Sequence, residues 1–242
     1  MASRFDTLFP TKPVLGVVYL QQDCTLSKAR NDLRILHEAG LNGAIIHLSP
    51  RSEPQLRTLA REIQDPKFPL GLYYKGDPDT FQLVVGSGCV FTRFNYVGSY
   101  ARPPSMFAYF ESERSKFPCL PVFATAEPTE KPRIYRRPER AILESIAKTD
   151  AIVIEGKNAL QEIEVMRHHG RDHPLLVEVT GAEDISLKFK RSNGLILAGN
   201  YCRINSTDRS KINSTDRIRP YNPAALKTLV RKLEKVGYHP KI

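Results

Sequence analysis

The chain has 242 residues, 41% of them hydrophobic, with a formal net charge of +10. That length and apolar content suffice for a large buried core and exclude a disordered chain. The charge favours anionic partners, but its densest clusters, "RIYRRPER" and "LVRKLEK", hold a single aromatic, Tyr135, rather than the interleaved set of a base-stacking platform, which sets nucleic acid aside.

In chain order, the opening "MASRFDTLFPTKP" lacks the apolar stretch of a secretory leader. No run approaches the roughly 20 apolar residues of a membrane span, so a cytoplasmic protein is expected. "VLGVVYL" reads as a first strand. A helix follows from about Ser27, with Ala29, Leu33 and Leu36 inward and Gly40 as its stop. "GAIIHL" is the second strand; Leu56, Leu59, Ala60 and Ile63 then recur at helical spacing. "LGLYYK" is the third strand, and Asp77-Pro78 has the form of a helix start. "CVFTRFNYV" is the fourth, preceded by the helix stop "VVGSG".

A helix over Ser105 to Phe117 leads to the fifth strand, "PVFATAE". Pro138 opens a helix carrying Ala141, Ile142, Ser145 and Ile146, and "AIVIEG" is the sixth strand. Asn158 caps the helix running to Gly170; "LLVEV" is the seventh strand, with a short helix near Glu183 to Lys190. "GLILAG" is the eighth. Asn222-Pro223 starts the last helix, whose stripe is Leu226, Leu229, Val230, Leu233 and Val236.

Eight strand–helix units in this length predict a single α/β domain over residues 1–242, a (β/α)8 TIM barrel, with a doubly wound open sheet as the alternative. The segment Ile204–Lys211, "INSTDRSK", repeats at Ile212–Arg219 as "INSTDRIR". It is too short for a solenoid unit and reads as a duplicated polar surface loop at 204–219. Four cysteines without close paired spacing give no zinc motif; four free thiols and no metal are expected.

The chemistry-bearing residues gather at strand ends. Arg93 and Asn95 are two apart and share one face of the fourth strand. They mark either an edge strand with one wet face or a polar pocket at a strand's carboxyl end. The guanidinium fork of Arg93 suits a carboxylate or phosphate, or else a salt bridge across the barrel to Glu155 or Glu178. Glu127, Glu155 and Glu178 end adjacent strands, where carboxylates hold metals, act as acid and base, or pair with Arg93, Lys75 and Lys131. Pairing is the expectation, because no metal-ligand spacing is present. His47 reads as a barrel-filling residue or a base, and Tyr73-Tyr74 as barrel and wall packing. Gly181, Gly199 and Asn200 are candidates for a phosphate region, or ordinary turn residues.

The order of "FDTLFPTKPVLGVVYL", "AGLNGAIIHL", "FPLGLYY", "FTRFNYVG", "DAIVIEG", "NGLILAGNYCR" and "YNPAALKTLVRKL" resembles the BtpA family, from Phe5 to about Val236. That family comprises TIM-barrel proteins associated with photosystem I biogenesis, SgcQ-like members included. The resemblance implies a pocket for a phosphorylated sugar or nucleotide-like metabolite around Arg93 and Asn95. The alternative it implies is a non-catalytic assembly factor or scaffold for a protein or membrane complex. It implies no particular cofactor, reaction or oligomeric state. The chain departs from the family at several strand ends. Tyr19 to Asp23 stand where the family carries a histidine, His47-Leu48-Ser49 where it carries an acidic–amide pair, and Thr125 with "PTEKP" where it carries aspartate and Lys-His. Its Gly-Ser-Gly turn is replaced by Thr180-Gly181-Ala182-Glu183-Asp184, whose acids would repel a phosphate while complementing a helix dipole.

Overall fold

Strands form where the sequence supplies short runs of β-branched residues and leucine, and they are buried on both faces, as parallel strands under a coat of helices must be. The computed structural model describes residues 3–20, 25–49, 52–63, 65–74, 80–95, 104–126, 138–155, 158–180, 184–198 and 221–240. In order these give α1 (Arg4–Leu8), β1 (Val14–Leu20), α2 (Leu26–Glu38), β2 (Gly43–Leu48), α3 (Glu53–Glu62), β3 (Leu70–Tyr74), α4 (Thr80–Ser87) and β4 (Phe91–Asn95). There follow α5 (Pro104–Lys116), β5 (Val122–Thr125), α6 (Pro138–Lys148), β6 (Ala151–Ile154), α7 (Ala159–His169), β7 (Leu175–Val179), α8 (Ile185–Arg191), β8 (Gly194–Leu197) and α9 (Pro223–Glu234). The strands pair in parallel in chain order, and β1 closes onto β8. A closed ring has no edge, so β4 is not an edge strand and the open sheet is excluded. The duplicated segment 204–219, Asp77-Pro78, Cys24 and Cys202 lie outside the described residues.

Alternation divides the side chains into two sets. Val14, Val18, Ala44, Ile46, Leu48 and Leu72 point outward and pack with Leu33, Leu36, Leu56 and Leu59 of the helices. A Cβ on Gly16 would stand 2.4 Å from Leu36, so the bare glycine lets α2 lie close on β1. Leu15, Val17, Ile45, Val153, Leu176 and Ile196 point inward and fill the barrel.

Several helix ends follow their sequence signals, while Ser52 before α3, Asn158 before α7 and Asp184 before α8 make no side-chain cap bond. Thr25 caps α2 by accepting from the Lys28 N–H, and Asn222 caps α9 by accepting from the N–H groups of Ala224 and Ala225. Gly40 takes φ 81° just past α2, a conformation that favours glycine. Asn158 precedes α7 but makes no side-chain cap bond, because its ψ of 25° departs from the extended backbone a cap uses. Asp184 precedes α8 at φ 52° and also makes no cap bond. Glu183 lies outside the described residues, so of the acidic pair only Asp184 is seen, and it sits before the first turn rather than in it.

The opening segment is more structured than its sequence suggests. Ser3 accepts from the Asp6 N–H at 3.0 Å while the Asp6 carboxylate accepts from the Ser3 N–H at 3.3 Å, a reciprocal cap that starts α1. Phe5 and Phe9 then close the amino-terminal end of the barrel. Phe5 lies 5.8 Å from Phe123 and Phe9 lies 5.8 Å from Phe91, between ring centroids.

Candidate functional site at the carboxyl ends of the strands

The register carries polar side chains to one level at the other end. Tyr19 pairs with His47, His47 with Tyr73, and Tyr73 with Arg93 across β1 to β4. Thr125 ends β5, Glu155 follows β6, and Glu178 is the inward residue near the end of β7. Side chains below them are apolar, so the polarity changes within one turn of the pleat.

On one side the ring is aromatic. The His47 imidazole sits between Tyr19, at 5.1 Å, and Tyr73, at 4.7 Å between centroids. His47 thus fills a barrel layer, one of its two expected roles. Tyr74 points outward, where its hydroxyl donates to Glu53 at 3.1 Å.

On the other side the ring is ionic. Arg93 is 3% exposed, its guanidinium 5.1 Å from the Tyr73 ring centroid. Its Nη1 donates to Glu178 Oε2 at 2.5 Å; its Nη2 donates to Thr125 Oγ1 at 3.2 Å and to Glu155 Oε1. Thr125 Oγ1 in turn donates to Glu155 Oε1 at 3.1 Å. Burial works against the charged guanidinium, but the carboxylates of Glu178 and Glu155 outweigh it and hold Arg93 above its ordinary value. The Arg93 Nε is buried without an acceptor among the described residues.

The cross-barrel pairing expected for Arg93 is therefore present, with both carboxylates rather than one. Asn95 is the last residue of β4 and pairs in register with Thr125; only its backbone is described. Gly181, Gly199 and Asn200, together with Glu127, Lys75 and Lys131, lie outside the described residues. Two features escaped the sequence reading. Thr125 links Arg93 to Glu155, and the Tyr19–His47–Tyr73 arc completes the ring. For Tyr19, His47 and Tyr73, shared inward parity at successive strand ends was the available signal.

Other candidate chemistry lies elsewhere. No group of three metal-ligating side chains occurs among the described residues. Cys89 is buried and Cys119 exposed, both free; burial pushes the Cys89 thiol up to about 11, which makes it inert at neutral pH. Two clefts open at the amino-terminal ends of the strands. One of about 580 Å³ is lined by His37, Asp65, Lys67, Lys227 and Arg231, the other of about 320 Å³ by Arg4, Glu111, Arg114, Lys148 and Asp150. Much of their charge is already paired: His37 with Asp65 at 3.0 Å, Arg114 with Asp150 at 3.0 Å, and Lys148 with Glu111 at 2.5 Å. In a barrel of this kind that end serves stability, whereas ligands bind at the carboxyl ends.

No family profile and no curated protein matches this sequence. Solved structures do match it. A chain from Aquifex aeolicus VF5 aligns over 97% of this chain and 99% of its own, with a TM-score of 0.65 and 12% identity. A native KDPGal structure aligns over 92% and 96%, with a TM-score of 0.62 and 15% identity. A 2-keto-3-deoxy-6-phosphogluconate aldolase of Zymomonas mobilis ZM4, solved with 3-phosphoglycerate, aligns over 99% and 98%, with a TM-score of 0.59 and 12% identity. The chain is a (β/α)8 TIM barrel. At these identities the likeness fixes the fold, and its neighbours include TIM-barrel aldolases. No helix among the described residues of this barrel is long and apolar enough to cross a membrane.

Proposed function

We propose that this TIM barrel is a divergent BtpA-like protein that binds an anionic, phosphorylated small molecule at the carboxyl ends of its strands. The contacts in this reading are Arg93, Asn95, Glu155, Glu178, Gly181, Gly199 and Asn200. The observation that carries it is the polar ring. Tyr19, His47, Tyr73, Arg93, Thr125, Glu155 and Glu178 converge on one mouth above an apolar interior. A barrel needs no such ring for stability, since apolar side chains could fill that layer. The 3-phosphoglycerate held by the Zymomonas aldolase supports a phosphorylated ligand by analogy of fold.

Charge sets the ligand's orientation. One guanidinium faces two carboxylates, so the floor of the mouth is net negative. The anionic end of the ligand therefore points away from that floor, and in this reading Gly181, Gly199 and Asn200 are the residues that take it. The sequence that follows Asn200 carries Arg203, Arg209, Lys211, Arg217 and Arg219 against Asp208 and Asp216. The reading is of a cytoplasmic protein, which suits the free thiols of Cys89 and Cys119.

A second reading, a non-catalytic scaffold for a protein or membrane complex, is favoured by one observation: the protein's own carboxylates occupy both terminal nitrogens of Arg93. Thermal-shift measurements with inorganic phosphate, 3-phosphoglycerate and a panel of sugar phosphates separate the two. Stabilisation by a phosphorylated compound, lost in a Glu155→Ala/Glu178→Ala variant, supports the pocket. No stabilisation by any of them supports the scaffold.

A further inference from the structure

We infer that the ligand presents a protonated amine to the floor of the mouth, where it is held by Glu155 and Glu178. The inference rests on the reading of the mouth as a binding site. Arg93 anchors both carboxylates from below, and each uses only one oxygen to accept its bonds: Glu155 Oε1 and Glu178 Oε2. Glu155 Oε2 and Glu178 Oε1 have no partner among the described residues. Their side chains are 29% and 18% exposed, against 4% for Arg93, so these oxygens are what the floor offers to a ligand. The two remaining Arg93 N–H groups, on Nη1 and Nε, belong to a side chain only 4% exposed, and the Nε is buried without an acceptor among the described residues.

The ionic side of the floor thus offers carboxylate acceptors, with one negative charge in excess among Arg93, Glu155 and Glu178. That charge stands in a partly desolvated site, where an uncompensated ion costs most. A phosphate approaching Glu155 and Glu178 meets two carboxylates. A hydroxyl can donate one hydrogen bond but leaves the charge unbalanced. An ammonium donates three hydrogen bonds, spans both carboxylates and makes the cluster neutral, and charge-assisted bonds of this kind are roughly twice as strong as neutral ones. Joined to an anionic end at the rim, this describes a zwitterionic ligand, an amine-bearing phosphate ester.

Calorimetric titration tests this with four probes: phosphoethanolamine, 2-hydroxyethyl phosphate, ethanolamine and inorganic phosphate. Each is titrated into the wild-type chain, Glu155→Gln and Glu178→Gln. Phosphoethanolamine should bind about tenfold more tightly than 2-hydroxyethyl phosphate, a preference of about 1.4 kcal/mol. Either glutamine variant should reduce that preference to about threefold or less, because each removes one charge-assisted bond. Equal affinity for the two esters in the wild type overturns the inference and leaves the anionic-ligand reading standing. Tighter binding of 2-hydroxyethyl phosphate by a glutamine variant supports the inference, because removing one carboxylate relieves the unbalanced charge. Ethanolamine binding that Glu178→Gln abolishes, without binding of any phosphate, supports the amine site and overturns the anionic reading. No binding by any probe overturns both.

Discussion

The Tyr221 hydroxyl continues the β1–β8 ladder where β8 itself ends. The last register pair of those strands is Gly16 with Leu197. At the next step the hydroxyl accepts from the Val17 N–H at 3.0 Å and donates to the Val17 carbonyl at 2.8 Å. The same hydroxyl lies 3.3 Å from the Leu197 carbonyl, so it bridges the two strands at the end of their ladder. Tyr221 also anchors the start of the last strand-to-helix unit, its own N–H donating to Asp32 at 3.0 Å. Tyr221→Phe removes both hydroxyl bonds from a buried backbone position, a loss of about 1–3 kcal/mol. The denaturant midpoint should fall accordingly; an unchanged midpoint would show that water or a neighbour replaces the hydroxyl.

The aromatic plug is the second point of closure. Phe5 is 3% exposed and packs 5.5 Å from Phe9 and 5.8 Å from Phe123. Phe5→Ala opens a cavity at the base of the barrel and should cost about 3–5 kcal/mol. A melting temperature matching that of the wild type would mean that α1 docks without contributing to the core.

Two glycines should respond oppositely to alanine. A Cβ on Gly71 would stand 2.1 Å from the Phe91 ring, which is itself packed 4.8 Å from Phe123. Gly71→Ala therefore overpacks the interior and should destabilise by about 1–3 kcal/mol. Gly86 lies in α4 with nothing within 4 Å of its Cβ position. Gly86→Ala should stabilise by up to about 1 kcal/mol through helix propensity. Equal effects in chemical denaturation would contradict this account of the barrel interior.

Acid stability should depend on His173. Burial lowers its imidazole to about 4, with Asp150 opposing the shift and Arg167 adding to it. Its ring nitrogen lies 3.4 Å from the Thr149 hydroxyl. The unfolded chain takes up this proton near pH 6.5, the folded chain only near 4, so the unfolded state binds more protons in between. The contribution is present above pH 6.5 and is lost as pH falls from there toward 4. His173→Gln should flatten the stability curve across that window. A variant with the same slope as the wild type would place the acid sensitivity elsewhere.

Much of the barrel was legible because each strand is a run of apolar residues set between helices with clear stripes; "GAIIHL" and "LLVEV" match β2 and β7 residue for residue. The cap signals were less dependable. Asn222 caps α9, whereas Asn158 does not cap α7, because capping depends on backbone angles that residue type alone does not set. α1 was missed because five residues are too short for an apolar period, and its Ser3–Asp6 reciprocal cap is a local signal that is easily passed over. At the site, Arg93 and its two glutamates could be read from alternation and strand order. The part played by Thr125 could not, since it depends on β5 being staggered relative to β4 and β6.

In the proposed function, the mouth formed by Arg93, Glu155 and Glu178 holds a small molecule. Native mass spectrometry of gently purified protein tests it most directly, run beside the Glu155→Ala/Glu178→Ala variant. A bound small-molecule adduct is expected on the wild-type chain and not on the variant. An adduct of equal mass and occupancy on both chains would contradict it, because the ligand would then be held somewhere other than this mouth.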